Sequence, residues 1–345
     1  KHPYVLYTDI RICSYTAHMC SIVYIIKCIE IIMTDLEKKR FLAKIARLYY
    51  LEGLTQQTIA NKLNISRTKV SRYITRAKKE KIVEIHINYP PEDFSSMEYQ
   101  IEKKYGISEC VVVDGLENDE ATIRSMGGRL NNILERILED GSYIGIGWGH
   151  SLREISKYIN ILDKNNIKVV PMIGGLGKTG TGVHTNSVAK SIADRIGGIS
   201  YMIHSPAVMD SRKIKEIIEK DSNVKEIMDM SGKIETAFIG ISDLGHDSTL
   251  IKTGSFTPED FEYLKGLGVV GDVNLIFIDS KGRHVPNRID ERIVRIPLEK
   301  LKQIKNVIGV AFGKRKLEIL LAALRGQTIN ILFTDKETAK DIIKE

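Results

Sequence analysis

Three stretches of this chain carry residue types and spacings that could do chemistry. The first is Leu54–Val83, LTQQTIANKLNISRTKVSRYITRAKKEKIV. In it Arg67, Thr68, Lys69, Ser71 and Arg72 follow a tight Asn64-Ile65-Ser66 turn. Cationic and hydroxyl groups crowded at the front of a helix suit phosphates and base edges in a DNA groove. The second is Gly145-Ile146-Gly147-Trp148-Gly149-His150-Ser151, and the third is the glycine-rich run from Gly174 and Gly175 to Gly182. Glycines let backbone amides approach an anion, and a following helix start adds a favourable dipole. A phosphorylated small molecule accounts for both glycine loops together. Further on, Gly271-Asp272 and Gly313-Lys314-Arg315-Lys316 add a carboxylate and cations at turns.

The same spacings exclude several alternatives. Gly145, Gly147 and Gly149 are evenly spaced and miss the G-x-G-x-x-G dinucleotide fingerprint. Gly177-Lys178-Thr179 ends like a Walker loop, but Met172 stands where its first glycine is required. No nucleotide or other cofactor is expected. His184, His204 and His284 lack metal-ligand spacing, and no Ser/His/Asp set or paired carboxylates on one helix face can be assembled.

These residues need elements to position them. Thr55 can cap a short helix whose Ile59, Ala60 and Leu63 share one face, with small Ala60 where two helices would cross. Ser66 can cap the next helix, whose Val70 and Ile74 turn inward and leave the basic and hydroxyl residues on the rim. Leu36–Leu51 reads as a preceding helix, so the three make a helix-turn-helix unit. Lys81–Asn88 alternates and suits a short strand, a wing beside the reading helix. Thr55 and Gln56 are then placed to anchor the first helix to the DNA backbone.

Charge is divided the same way. Residues 33–90 hold 13 Lys+Arg against 5 Asp+Glu, a net +8, whereas residues 91–345 hold 35 against 37, a net −2. Only the front end is built to meet a polyanion such as double-stranded DNA. Its apolar positions are committed to packing, which argues against a membrane surface. The four cysteines, Cys13, Cys20, Cys28 and Cys110, form no C-x-x-C pair, and a reducing cytoplasm is the expected location. Residues 1–32 match neither a signal peptide nor a transmembrane helix. They read as upstream sequence before a natural start at Met33, the alternative being an extension that packs on a partner.

Pro90-Pro91 marks a linker. From Cys110 onward strand and helix patterns alternate, which predicts a mainly parallel sheet covered on both faces. Strands are expected at 110–113, 143–147, 168–173, 200–203, 236–241, 273–278, 307–310 and 329–333. One antiparallel excursion is expected around the turn Asp279–Gly282. The domains are therefore 1–32, an extension; 33–90, a winged helix-turn-helix; and 91–345, a doubly wound α/β domain.

Several motifs in one order resemble a known family. LEGLTQQTIANKLNISRTKVSRYITRAKKEKIVEI, IGIGWGHSL, VVPMIGGLG, HTNSVAKSIADRIGG, GVVGDVNLIFIDSKGR and VIGVAFGKRKLEILLAALRGQTINILFTD are similar to SorC/DeoR-type sugar-responsive bacterial transcriptional regulators. The resemblance runs from about Met33 to the C-terminus. It implies a DNA-binding domain joined to a sugar-phosphate-binding effector and oligomerisation domain, working as a homotetramer or dimer on operator DNA. Carried over by position, Gly147, Gly149, His150 and Ser151 match a first phosphate loop, and Gly174 and Gly175 a second. Asn186 matches the following helix start, Asp272 the turn and Lys316 the late lysine. The chain departs from the pattern at His150 and Ser151, where hydroxyl residues are common, and at Phe312, where glycine is common. The expected function is a repressor of carbohydrate genes, controlled by a phosphorylated sugar. The alternative is a sugar-phosphate isomerase or deaminase with Asp272 as general base.

Overall fold

The computed structural model describes residues 35–85, 93–116, 118–176 and 184–345. The N-terminal extension with Cys13, Cys20 and Cys28, the linker prolines and residues 177–183 of the second glycine loop lie outside them. The chain divides into two compact units, residues 1–89 and 90–345.

Among its described residues the first unit holds three helices. Helix α1 spans residues 35–50 and buries Leu42, Ile45 and Ala46, spaced three and four apart. Helices α2 (Gln56–Leu63) and α3 (Arg67–Lys79) follow. The Thr55 hydroxyl accepts from the Thr58 amide at 3.2 Å, and the Ser66 hydroxyl accepts from the Lys69 amide at 3.3 Å. Between the helices Asn64 takes a left-handed conformation with φ 52°, which asparagine tolerates. Ile45, Ile59, Ala60, Val70 and Ile74 close a small core, with Ala60 3% exposed at the expected crossing point. The wing differs from expectation. Residues 81–85 form a turn and irregular chain rather than a strand, and 86–88 lie outside the described residues. Ile82 and Val83 are instead drawn against Leu42, Ala46 and Ala77, which removes the alternation's need for a sheet partner.

Among the described residues the second unit carries ten strands. In chain order these are β1 (Glu109–Val113), β2 (Tyr143–Ile146), β3 (Lys168–Pro171), β4 (Ile199–Ser200) and β5 (Ile234–Ile239). They continue as β6 (Ile241–Asp243), β7 (Val269–Val273), β8 (Ile276–Asp279), β9 (Asn306–Val310) and β10 (Ile331–Asp335). Seven of them form one parallel sheet in the order β1-β10-β9-β5-β2-β3-β4. Strand periodicity decides which side chain faces which layer. Val111, Val113, Ile144, Ile146 and Phe238 point to one core with helices α4 (Ser95–Tyr105) excluded and α5 (Asp119–Ile137), α6 (His150–Ser156) and α7 (Thr185–Ile196) packed over it. Cys110, Val112, Ala237 and Ile239 point to the other. Short helices α8 (Arg212–Ile218), α9 (Ser222–Asp229), α10 (Thr249–Lys252), α11 (Pro258–Gly266) and α12 (Leu298–Gln303) fill the connections. Helices α13 (Leu317–Arg325) and α14 (Lys336–Lys344) complete the second face with α4.

Strands β6, β7 and β8 form a separate antiparallel sheet. Two expected strands are thereby corrected. The run 236–241 breaks at Gly240, where a Cβ would stand 2.2 Å from the Trp148 carbonyl oxygen. The run 273–278 reverses at Asn274-Leu275, both with positive φ (53° and 60°), a two-residue hairpin turn. Asparagine fits that conformation. Leu275 does not, and its complete burial holds it there.

Candidate functional site

The basic helix and the sheet ends give two sites, one in each unit. On α3, Val70, Ile74 and Ala77 are buried. A helix advances about 100° per residue, so the opposite face carries Thr68 and Arg72, flanked by Lys69 and Ser71, with Arg67 in the first turn nearer the buried side. All five are exposed. Thr75 falls on the same face one turn after Ser71, whose carbonyl accepts from its hydroxyl at 3.1 Å. Sequence reading omitted Thr75, although its spacing from Thr68 and Arg72 was available. Thr55 is exposed beside the start of α2, with its hydroxyl 2.8 Å from that of Thr58, and Gln56 is half-buried.

The second site lies where the parallel sheet changes direction. From β2 the chain builds β3 and β4 to one side, then crosses so that β5 pairs with the other side of β2, followed by β9 and β10. Ligands of open α/β sheets bind beyond the strand ends at such a switch point. A cavity of about 410 Å³ opens there, within the range of small-molecule sites. Gly149, His150 and Ser151 reach it from the end of β2, and Gly240, Ser242 and Asp243 from the end of β5. Phe312, Gly313, Lys314, Arg315 and Lys316 reach it from the end of β9. Asp119, Asp247, Ser248 and Thr249 complete the polar wall.

Its charges are unevenly engaged. Arg315 pairs with Asp243 at 3.2 Å and Asp247 at 3.1 Å, which fixes its guanidinium across the mouth. The side chains of Lys314 and Lys316 have no hydrogen bond or ion pair among the described residues. Burial pulls the Lys316 ammonium below its usual pKa, while Asp243, Asp272 and Asp119 work to keep it charged. Desolvation likewise lowers the His150 pKa, against the pull of Glu154.

Beneath the pocket sits a second polar group. Asp272 is fully buried, and its Oδ2 accepts from the Leu275 amide at 2.8 Å. Burial raises its pKa from 3.8 to about 7, opposed by that hydrogen bond and by Lys316 and Arg295. Its Oδ1, both polar atoms of the Asn274 side chain and the Trp148 indole nitrogen are buried without a hydrogen-bond partner. A Cβ on Gly147 would meet the Asn274 Oδ1 at 2.5 Å, so glycine is needed for the β2 end to pass over this turn.

Of the residues expected to touch an effector, Gly149, His150, Ser151 and Lys316 line the cavity, while Gly147 and Asp272 support it from below. Gly174 and Gly175 lie elsewhere. A Cβ on Gly174 would strike the Pro206 carbonyl at 2.5 Å, and one on Gly175 the His184 ring at 2.0 Å. The Asn186 side chain is committed to the backbone of Ile203, donating to its carbonyl at 2.9 Å and accepting from its amide at 3.1 Å. The residues that sequence reading missed are the acidic ones, Asp119, Asp243 and Asp247. They come from two segments far apart in the chain, Asp119 at the start of α5 and Asp243 with Asp247 at and after β6, and no local spacing signals their convergence.

A helix-turn-helix in one unit and a switch-point pocket in the other define the class: a DNA-binding transcriptional regulator with a sugar-binding domain. Comparisons with known proteins agree. Residues 89–344 match the family described as "Putative sugar-binding domain", and residues 45–80 match sigma-70, region 4. The sorbitol operon regulator of Klebsiella pneumoniae is 32% identical over 321 residues, covering 90% of this chain and 100% of its own length. The deoxyribonucleoside regulator of Bacillus subtilis is 29% identical, covering 90% of this chain and 99% of its own. The crystal structure of the full-length Klebsiella regulator SorC superposes with a TM-score of 0.69 at 31% identity, over 89% of this chain and 99% of that one. The chain belongs to the SorC/DeoR-type family of sugar-responsive transcriptional regulators. No helix among the described residues is long and apolar enough to cross a membrane.

Proposed function

We propose that this regulator binds operator DNA through α3 and is controlled by a phosphorylated sugar seated over the ends of β2, β5 and β9. Arg67, Thr68, Lys69, Ser71 and Arg72 share base-edge and phosphate contacts in the major groove, and Thr55 and Gln56 anchor α2 to the backbone. Lys316 and Lys314 receive the phosphate, with Ser151 and the amides after Gly149 around it. Asp119 and Asp243 accept hydroxyl groups. Residues 33–90 are the DNA-binding domain, and residues 91–345 hold the effector and join the subunits of a homodimer or homotetramer. The resting state represses carbohydrate genes in the cytoplasm, and the effector acts by binding one arrangement of subunits more tightly than another.

The observation that carries this reading is the position of Lys316. It is a partly buried cation without an ion-pair partner among the described residues, facing a cavity at the sheet's switch point. The test is a thermal-shift screen of the full-length protein with sugar phosphates, repeated with Lys316→Ala. A ligand at 100 times its Kd raises stability by about 2.7 kcal/mol. The reading requires such a shift in the native protein and its loss in the variant. No shift with any sugar phosphate would contradict it.

A further inference from the structure

We propose that the pocket is selective for a sugar derivative carrying one phosphate and discriminates against bisphosphates. This rests on the sugar-phosphate reading above and narrows the effector's chemical class.

The argument is one of charge. Three carboxylates, Asp119, Asp243 and Asp247, face the cavity together with three cations, Lys314, Arg315 and Lys316. Burial at His150 disfavours a charge on its ring. The empty pocket is therefore balanced. Arg315 is occupied, held by two aspartates at once, and a carboxylate pair clamping a guanidinium leaves little positive potential for a ligand. That leaves the two lysines as unengaged cations, both on one short segment at the end of β9. One dianionic phosphate can be neutralised there. A second would find no further unengaged cation among the lining residues, and Asp119, Asp243 and Asp247 would repel it in a partly desolvated cleft. Hydroxyl groups are what that wall can receive, since a carboxylate accepts and does not donate. Ser242, Ser248 and Thr249 extend the same hydroxyl-binding surface.

The experiment is isothermal titration of the full-length protein with matched pairs. The probes are pentose 5-phosphates, hexose and hexitol 6-phosphates, the corresponding bisphosphates, and the unphosphorylated sugars. At least one monophosphate should bind at least tenfold more tightly than its bisphosphate. A bisphosphate that binds equally well or better overturns this inference and leaves the sugar-phosphate reading standing. Failure of every phosphorylated sugar overturns both. A second arm uses the double variant Asp243→Asn/Asp247→Asn, whose side chains keep their shape at a surface-accessible mouth. Removing the two carboxylates frees Arg315, so the preference for monophosphate should shrink by tenfold or more. An unchanged ratio in a folded variant would show that these aspartates do not set the selectivity.

Discussion

On α3, Arg67, Lys69 and Arg72 stand in solvent with no acidic partner among the described residues. Behind the sheet ends, by contrast, Arg315 is clamped by Asp243 and Asp247, and Lys316 sits among three aspartates. The first arrangement projects positive potential outward, which suits fast, salt-sensitive attachment to a polyanion. The second cancels its own field and leaves recognition to close contacts, which suits a small ligand present among many similar ones. Burial follows the same division. The basic face of the first unit is built from exposed side chains on two well-capped helices. The pocket floor is built from buried polar atoms that lack partners, an arrangement that specifies shape and stores destabilisation.

The largest effect that would sharpen this contrast lies in the floor. Asp272 has its pKa raised from 3.8 to about 7, so the folded protein holds this proton more tightly than the unfolded chain. Its contribution to stability is therefore intact below pH 4 and lost as pH rises toward 7. Asp272→Asn keeps an oxygen for the Leu275 amide and removes the charge. It should raise stability by up to about 4 kcal/mol at pH 8 and leave it unchanged at pH 4, as read by urea unfolding at the two pH values. A variant destabilised equally at both would show that the carboxylate is not the strained group.

Next in size is the crossing of β5 and the β2 loop. Gly240→Ala places a methyl 2.2 Å from a backbone carbonyl that cannot swing away. A loss of about 1–3 kcal/mol is expected in thermal or urea unfolding. Gly232→Ala, with nothing within 4 Å of the added carbon, should change stability little and serves as the control.

Effects on the reading face should be specific to DNA. Arg67→Ala is expected to weaken operator binding by about 1–3 kcal/mol and to relax preference at one base pair, with effector binding untouched. Unchanged operator affinity would remove Arg67 from the reading set. Smallest is the cap: Ser66→Ala should reduce stability by about 1 kcal/mol, because the Lys69 amide loses its side-chain acceptor and keeps only the Ser66 carbonyl.

How much of this was legible in the sequence follows the same contrast. The helix-turn-helix is local: Thr55, Asn64 and Ser66 set its caps and turn, and Ile59, Ala60, Val70 and Ile74 its core, all within twenty residues. Every one of them could be read from spacing. The βα alternation was equally legible, since parallel strands buried on both faces show as short apolar runs. The β7–β8 hairpin was not, because Asn274-Leu275 lacks the glycine that ordinarily marks such a turn, and only burial of Leu275 enforces it. The pocket was half legible. Its glycines and lysines advertise themselves, whereas Asp119, Asp243 and Asp247 meet only through the strand order. Gly174, Gly175 and Asn186 carry the reverse lesson. The glycines by their run and Asn186 by the family resemblance suggested a ligand loop, and the structure shows each with a packing or backbone neighbour that the sequence does not announce.

The most direct test of the whole account is fluorescence anisotropy of the full-length protein on DNA from its own promoter region. Titrations would be run between 50 and 200 mM salt, with and without the sugar monophosphate that gives the largest thermal shift. The account predicts affinity that falls steeply and linearly in log–log form with salt, and that the ligand changes at fixed salt. Salt-insensitive binding, or DNA affinity indifferent to every ligand that occupies the pocket, would contradict it.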